Sequence, residues 1–358
     1  GPVGLTTTGV GTPGGAYPTQ LTDKDGKPVC VVQAWEYAQV VGELKVSFDA
    51  QGNVSQCKGT PHVLIGDNFT IGGKAATDAE KTALKASAAA TGFLRVTQPS
   101  ASTAAVLQPF KDKVAVFNQT QAAVVPQELC SRRVPGGVGS VDYSRSSAAC
   151  NAEGSVSLRG GDMQQLVAQA YLEVANAQYG GADISLQSGG GVRIPLQGTV
   201  TAAQIIQVLP FGNMLFRLDV TGQEVKGMLE DGLEATFGTG GSTGPYPYTG
   251  GLRFDVNAKA TKGARASNIE VRNPTTGVWA AIDLAKTYKL FVLSFNATGG
   301  DGYKTLAAVP AARRLDIGVL DADVFFSYID KQAKDAATGL PTLKRLPVEL
   351  YSTKSFAN

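Results

Sequence analysis

The sequence predicts a mixed α/β protein, and three observations carry that expectation. Apolar-alternating runs such as Asp183-Ile184-Ser185-Leu186-Gln187 are interleaved with stretches whose apolar residues recur at helical spacing, among them Met163, Leu166, Val167, Ala170, Tyr171 and Val174. Glycine is abundant, 43 of 358 residues, beside much Ala, Thr and Ser; this composition gives many turns and argues against a coiled coil or a fibre. Hydrophobic residues make up 43% of the chain and charged residues 17%, so a chain of this length can bury a sizeable core divided between about two domains.

Taken in order, residues 1–20 are rich in Gly, Thr and Pro and are expected to be irregular. Three strands follow, Pro28–Ala34, Glu43–Asp49 and Asn53–Cys57, the last two joined through a turn at Ala50-Gln51-Gly52. Thr77–Ala90 reads as a helix: it is Ala-rich, opens with Thr77 and Glu80 at capping-box spacing and stops at Gly92. Its apolar face is thin, so it is expected to lie exposed and to bridge two bodies. A second helix is expected over Ser102–Lys113, and Val114–Val125 reads as a strand entering the following domain. Cys130-Ser131-Arg132-Arg133-Val134-Pro135-Gly136-Gly137 then opens a basic loop that returns at Cys150.

Asp162–Gln178 is a helix whose apolar stripe packs on a sheet, with Met163 and Tyr171 as core residues. The strand Asp183–Leu186 delivers a glycine loop, and Thr201 caps a short helix running to Val208 and ending at Pro210 and Phe211. Asn213–Val220 is a strand, and Thr221–Phe237 an amphipathic helix with Val225, Met228, Leu229, Leu233 and Phe237 on its apolar face. After the Gly/Tyr/Pro loop Gly238–Gly251, strands are expected at Leu252–Val256, Ala266–Val271 and Tyr288–Leu293. A last helix, Asp321–Ala337, turns Val324, Phe325, Tyr328 and Ile329 inward, and Leu346–Tyr351 closes the chain as a strand.

The formal charge of +2 and pI near 8.3 imply no polyanionic partner, and nothing favours nucleic acid. No apolar run approaches the ~20 residues of a membrane span. The cysteines fall into two local pairs, Cys30 with Cys57 and Cys130 with Cys150, neither at CxxC spacing, and a single His leaves no Cys/His zinc set. Two disulfides in an oxidising compartment, periplasmic or extracellular, are the better reading, and four buried thiols the alternative. His62, after Pro61 in a proline-flanked loop, is expected to play a surface or capping role, because a lone histidine cannot build a two-metal site. An opening Gly1-Pro2 without Met or leader pattern is expected of a cut or processed piece of something longer, although a protease scar would look the same.

Chemistry concentrates in three blocks. Ser188-Gly189-Gly190-Gly191-Val192-Arg193 places three residues without Cβ directly after a strand and follows them with a fixed cation, which suits an anion. Val208-Leu209-Pro210-Phe211-Gly212-Asn213 offers an aromatic on a turn. Phe295-Asn296-Ala297-Thr298-Gly299-Gly300-Asp301-Gly302-Tyr303 offers an aromatic, a glycine-rich turn and a carboxylate. Two rings, a cation and an acid suit a nucleotide. Each block alone has a plain reading: a βα turn, a hydrophobic helix cap, an Asx turn. A calcium loop is disfavoured, since one carboxylate cannot supply the several oxygens that ion takes.

In this order and spacing the three blocks resemble the 5′-nucleotidase family, whose members pair a metallophosphatase domain with a C-terminal substrate domain. The resemblance implies an α/β domain with a mixed sheet over residues 118–358, a helical interdomain connector over 71–117, and a small β-rich remnant of the metallophosphatase domain over 1–70. It implies that Arg193 holds phosphate, with Gly190 and Gly191 of the same loop. Phe211 and Phe295 would sandwich the base, and Asp301 would take the ribose hydroxyls. Ser188 stands where many relatives carry an Asn that contacts the base. Relatives carry a further arginine shortly before the next helix, which makes Arg159, then Arg133, and also Arg145, candidates for a second phosphate contact. Gly238–Gly251 varies among relatives and is expected to be surface decoration.

The family's metal motifs need several Asp, His and Asn ligands that this chain lacks. The two divalent ions that activate water are therefore expected in the missing N-terminal metallophosphatase domain, with no cofactor and no catalytic residue in this chain. The implied function is the recognition half of a nucleotide phosphohydrolase, inactive alone. The alternative is a stand-alone nucleotide- or nucleoside-binding module.

Overall fold

The computed structural model describes residues 15–34, 39–136, 147–152 and 154–358, so Arg145 and most of residues 1–20 lie outside the described residues. The chain divides into two compact units, with the boundary between Phe110 and Lys111.

In the first unit, β1 (Thr19–Thr22) pairs antiparallel with β2 (Pro28–Val31), and β3 (Val40–Phe48) pairs antiparallel with β4 (Val54–Ile65). The disulfide Cys30–Cys57 ties β2 to β4. The strand β4 runs well beyond Cys57, so His62 lies on a strand rather than in a loop. There it is buried, its Nε2 3.1 Å from Glu43 Oε2, and Arg95 Nε reaches its Nδ1 at 3.2 Å. Two short strands, β5 (Thr70–Ile71) and β6 (Lys74–Ala75), form a hairpin before α1 (Asp78–Ala90). The capping box forms as its spacing predicts: Glu80 N donates to Thr77 Oγ1, and Thr77 N to Glu80 Oε2 at 2.8 Å. The helix packs on β7 (Leu94–Val96), which joins β4 in parallel.

The helix α2 (Ala101–Gln119) extends through residues expected to start a strand. Val114, Val116 and Phe117 are strand-favouring, but their helix penalty is only a few tenths of a kcal/mol each, and each added residue of a formed helix gains a hydrogen bond. Pairing begins only at β8 (Gln121–Leu129).

The second unit continues with α3 (Ala148–Ala152), α4 (Gly154–Arg159) and α5 (Asp162–Gln178), and the disulfide Cys130–Cys150 joins the end of β8 to α3. Next come β9 (Ile184–Ser188), β10 (Leu196–Thr201), α6 (Ala202–Val208), β11 (Met214–Thr221), α7 (Gly222–Phe237) and β12 (Pro247–Gly250). Three strands, β13 (Leu252–Asn257), β14 (Ala266–Arg272) and β15 (Trp279–Ala281), precede β16 (Thr287–Leu293). The chain ends with α8 (Ser294–Ala297), α9 (Lys304–Ala307), β17 (Arg314–Leu320), α10 (Asp321–Asp330) and β18 (Thr353–Ala357).

The central sheet is five-stranded and mixed, in the order β12-β9-β16-β11-β17. Both its faces are covered by other elements of the unit. One face packs against α5, α6, α10 and the β8–β10 pair through Leu166, Tyr171, Phe291 and Phe325. The other packs against α7 and the four-stranded sheet β15-β14-β13-β18 through Leu218, Met228, Leu229 and Phe254. Met163 and Tyr171 are core residues, as expected.

Three expectations are corrected. Gly238–Gly251 is not decoration: Tyr246 and Tyr248 are fully buried, and β12 pairs with β9. The last helix stops at Asp330 rather than Ala337, and the chain after it bends through a Lys334–Pro341 bridge. Leu346–Tyr351 forms a 3-10 turn at Val348–Leu350, and the terminal strand is β18, which joins β13 in parallel.

Candidate functional site

Register brings the three sequence blocks to one end of the central sheet. Strands β9 and β16 are parallel, with Leu186 opposite Val292, so Ser188 and Leu293 run out on the same side. Strand β11 is antiparallel to β16, with Leu215 opposite Leu293, so the turn holding Phe211 lies there too. Strand β12 begins at the same end, Pro247 opposite Ser188. Ligands of α/β sheets are commonly received at such strand ends.

The glycine loop makes one 3-10 turn, Gly189–Gly191. A Cβ on Gly189 would lie 2.7 Å from the Arg133 carbonyl oxygen, and one on Gly190 2.8 Å from Gly244 Cα. The Gly189 amide donates to Tyr246 O at 2.8 Å and the Gly190 amide to Gly244 O at 2.9 Å. These two glycines therefore serve close backbone packing, and their amides are already engaged, contrary to the expectation of open donors. The cation is different. Arg193 is exposed, its amide donates to Val208 O, its Nη1 donates to Gly190 O at 3.0 Å, and its guanidinium carbon stands 5.6 Å from the centroid of the Phe211 ring.

Phe211 follows Pro210 at the end of α6 and is 59% exposed; Gly212, at φ +62, turns the chain into β11. A clamp that sequence reading missed holds this turn: Asn213 Nδ2 donates to Asp321 Oδ2 at 3.2 Å, and Asp321 N to Asn213 O at 2.9 Å. Phe295, in α8, is 45% exposed and lies against Gly300, where a Cβ would sit 2.5 Å from Phe295 Cε2. Asp301 follows in the left-handed region, φ 58° and ψ 18°. Burial pushes its carboxyl up, opposed by a hydrogen bond from Ser188 and the charge of Arg133. Tyr303, fully buried, donates to Pro245 O at 2.6 Å and fastens the turn before β12 to this one.

Of the candidate second arginines, Arg133 is on hand: its Nη1 donates to Thr243 Oγ1 at 3.4 Å, and its backbone abuts Gly189. Arg159, favoured from sequence, instead lines a depression with Arg253, Glu270, Glu349, Tyr351 and Lys354. The helix α4 ends against the β18 side of the unit, so Arg133 rather than Arg159 lies beside the glycine loop. Among the described residues no group of three or more His, Cys, Asp and Glu side chains is placed to hold a metal ion.

A mixed α/β fold with mixed sheets is what the chain shares with solved proteins that contain a 5′-nucleotidase C-terminal domain. Residues 138–308 match the family described as 5′-nucleotidase, C-terminal domain, so this segment of the chain is a domain of that family. The chain is 32% identical over 327 residues to a probable 5′-nucleotidase of Treponema pallidum, covering 88% of this chain and 52% of that protein. It is 30% identical over 328 residues to the NAD 5′-nucleotidase of Haemophilus influenzae, covering 88% and 51%. The chain thus spans about half the length of these relatives. Among solved structures it is similar to the 5′-nucleotidase precursor of Thermus thermophilus, at 26% identity and TM-score 0.54, covering 97% of this chain and 55% of that one. It is likewise similar to the Haemophilus influenzae NAD nucleotidase, at 26% identity and TM-score 0.55, covering 95% and 57%.

Proposed function

We propose that this chain is the nucleotide-recognition half of a 5′-nucleotidase-type phosphohydrolase. The observation that carries the reading is the convergence at one sheet end of Arg193 over Phe211, and of Phe295 and Asp301 on a single turn. In this reading Arg193 pairs phosphate oxygens, with Arg133 as the second cation near the loop. Phe211 and Phe295 stack the base, a mode that tolerates several bases, and Asp301 accepts from the ribose hydroxyls. Its contribution to the reaction is positioning, by holding the phosphoester still for attack.

The hydrolytic chemistry, with its two divalent ions, is assigned to a metallophosphatase domain outside this chain, in keeping with relatives of which the chain spans about half the length. We assign residues 1–70 to the end of that domain, 71–117 to the connector and 118–358 to recognition. In the first unit the only buried apolar residues among those described are Cys57, Ala76 and Ala88, while Leu21, Val41 and Phe48 are exposed, as in a sheet that completes a larger body. The two disulfides support an oxidising compartment, periplasmic or extracellular. No helix among the described residues is long and apolar enough to cross a membrane.

The test is a paired assay on the chain as it stands. Adenosine binding measured by calorimetry is expected to be detectable and lost in Phe295→Ala, while AMP with Mg²⁺ or Mn²⁺ releases no phosphate. Turnover that survives repurification, or identical adenosine titrations for the two proteins, would overturn the reading.

A further inference from the structure

We infer that Gln164 is a positioning residue for phosphate recognition: its buried amide fixes the backbone that carries Arg133, and so sets where that cation stands beside the glycine loop. The inference rests on the reading above that Arg133 is the second cation for phosphate.

Gln164 lies in the first turn of α5 and is fully buried. A side-chain amide carries an acceptor oxygen and two N–H donors, and a buried one needs partners for them. Here each finds one. Gln164 Oε1 accepts from the Arg132 amide at 3.1 Å, and Nε2 donates to Ser131 Oγ at 3.1 Å and, more weakly, to Gly189 O at 3.5 Å. One side chain thus grips the two residues before Arg133 and reaches the first glycine of the loop. Gly161, just before the helix, leaves room for it: a Cβ there would lie 1.9 Å from Gln164 Oε1.

The rest of the segment is tied as closely. The Cys130 amide donates to Asp162 Oδ2 at 3.0 Å and Met163 N to Cys130 O at 3.1 Å. Tyr248 donates to Arg132 O at 2.7 Å, and Arg132 Nε to Val134 O at 3.1 Å. Residues 130–132 and 134–136 are buried, and only Arg133 between them is partly exposed. A backbone pinned on both sides therefore presents one guanidinium toward solvent, its Nη1 donating to Thr243 Oγ1 at 3.4 Å. A long side chain on a fixed root has fewer conformers to give up when it meets a phosphate, so loosening the root weakens the contact without removing the charge.

The experiment titrates AMP and adenosine into wild type, Gln164→Met, Arg133→Ala and the double variant by calorimetry. Methionine roughly keeps the volume and removes all three hydrogen bonds. Gln164→Met is expected to weaken AMP about three- to tenfold, the scale of one or two lost neutral hydrogen bonds, and to leave adenosine unchanged. In the Arg133→Ala background the same change should cost AMP nothing further, because the side chain it positions is gone. Should Gln164→Met not fold, Ser131→Ala, which removes one of the bonds and little volume, is read in the same cycle, with AMP weakened about two- to threefold and adenosine unchanged. Equal losses for the two ligands, a loss that persists in full without Arg133, or unchanged AMP binding in Gln164→Met beside a weakened Arg133→Ala would each overturn the inference. An Arg133→Ala protein that binds AMP as wild type does would instead sink the reading of Arg133 beneath it.

Discussion

Phe211 and Phe295 leave about half of their rings in water on the same end of one sheet, and each is fixed by a different device. Pro210 and the Asn213–Asp321 clamp hold the first, while Gly300 makes room for the second. Gly300 is not in the left-handed region, so its backbone accepts alanine; the added methyl would meet the Phe295 ring. Gly300→Ala is therefore expected to displace that ring and weaken adenosine about five- to fiftyfold, the scale of a lost base stack, with little change in melting temperature. Tyr248 presents the opposite case. Its buried hydroxyl accepts from the Gly161 amide at 3.0 Å and donates to Arg132 O at 2.7 Å. Tyr248→Phe strands both groups and is expected to cost about 1–3 kcal/mol in urea unfolding. Arg193, Phe211, Phe295 and Asp301 could be singled out in the sequence because each sits inside a short motif, and the pairing of β9, β16 and β11 brings those motifs to one sheet end. The place of Arg133 could not, because only the packed fold sets the segment after β8 against Gly189. Tyr246 and Tyr248 looked like loop aromatics because Gly and Pro surround them. Burial is possible because their hydroxyls find Thr353 Oγ1 and Arg132 O.

Helices were read more closely than strands, and capping explains why. The helices α1, α6 and α7 all begin with a Thr and an acid or amide three residues on, and each forms its capping box. Short strands such as β12 and β17 carry no such local signal; partner strands decide them. The α7 cap is reinforced from outside: Arg313 Nη2 reaches Glu224 Oε1 at 2.7 Å and Nη1 reaches Oε2 at 2.8 Å. The Arg313 hydrogen bonds, aided by the Thr221 amide and hydroxyl, lower the Glu224 carboxyl from 4.5 to about 2. A lowered acid contributes stability that is full above its unfolded value and lost as pH falls through its folded one. The pair should thus stabilise fully above about pH 4.5 and vanish toward pH 2. Arg313→Ala is expected to lower unfolding free energy by about 1–2 kcal/mol at pH 7, after allowing for partial exposure, and by almost nothing at pH 2. A loss that did not shrink on acidification would show that Arg313 acts by packing alone.

Across the whole molecule, the second unit carries its own two-sided core, whereas no such core lies among the described residues of the first. In the proposed reading, recognition depends on four side chains serving one ligand in separate roles, and AMP and adenosine differ only in the phosphate that Arg193 is assigned. Calorimetric titration of both ligands into wild type, Arg193→Ala and Phe295→Ala tests this most directly. The arginine variant should lose AMP about ten- to hundredfold and keep adenosine, the scale of a charged hydrogen bond, while the phenylalanine variant loses both. An Arg193→Ala protein that binds AMP as wild type does, or that loses both ligands alike, would contradict the account.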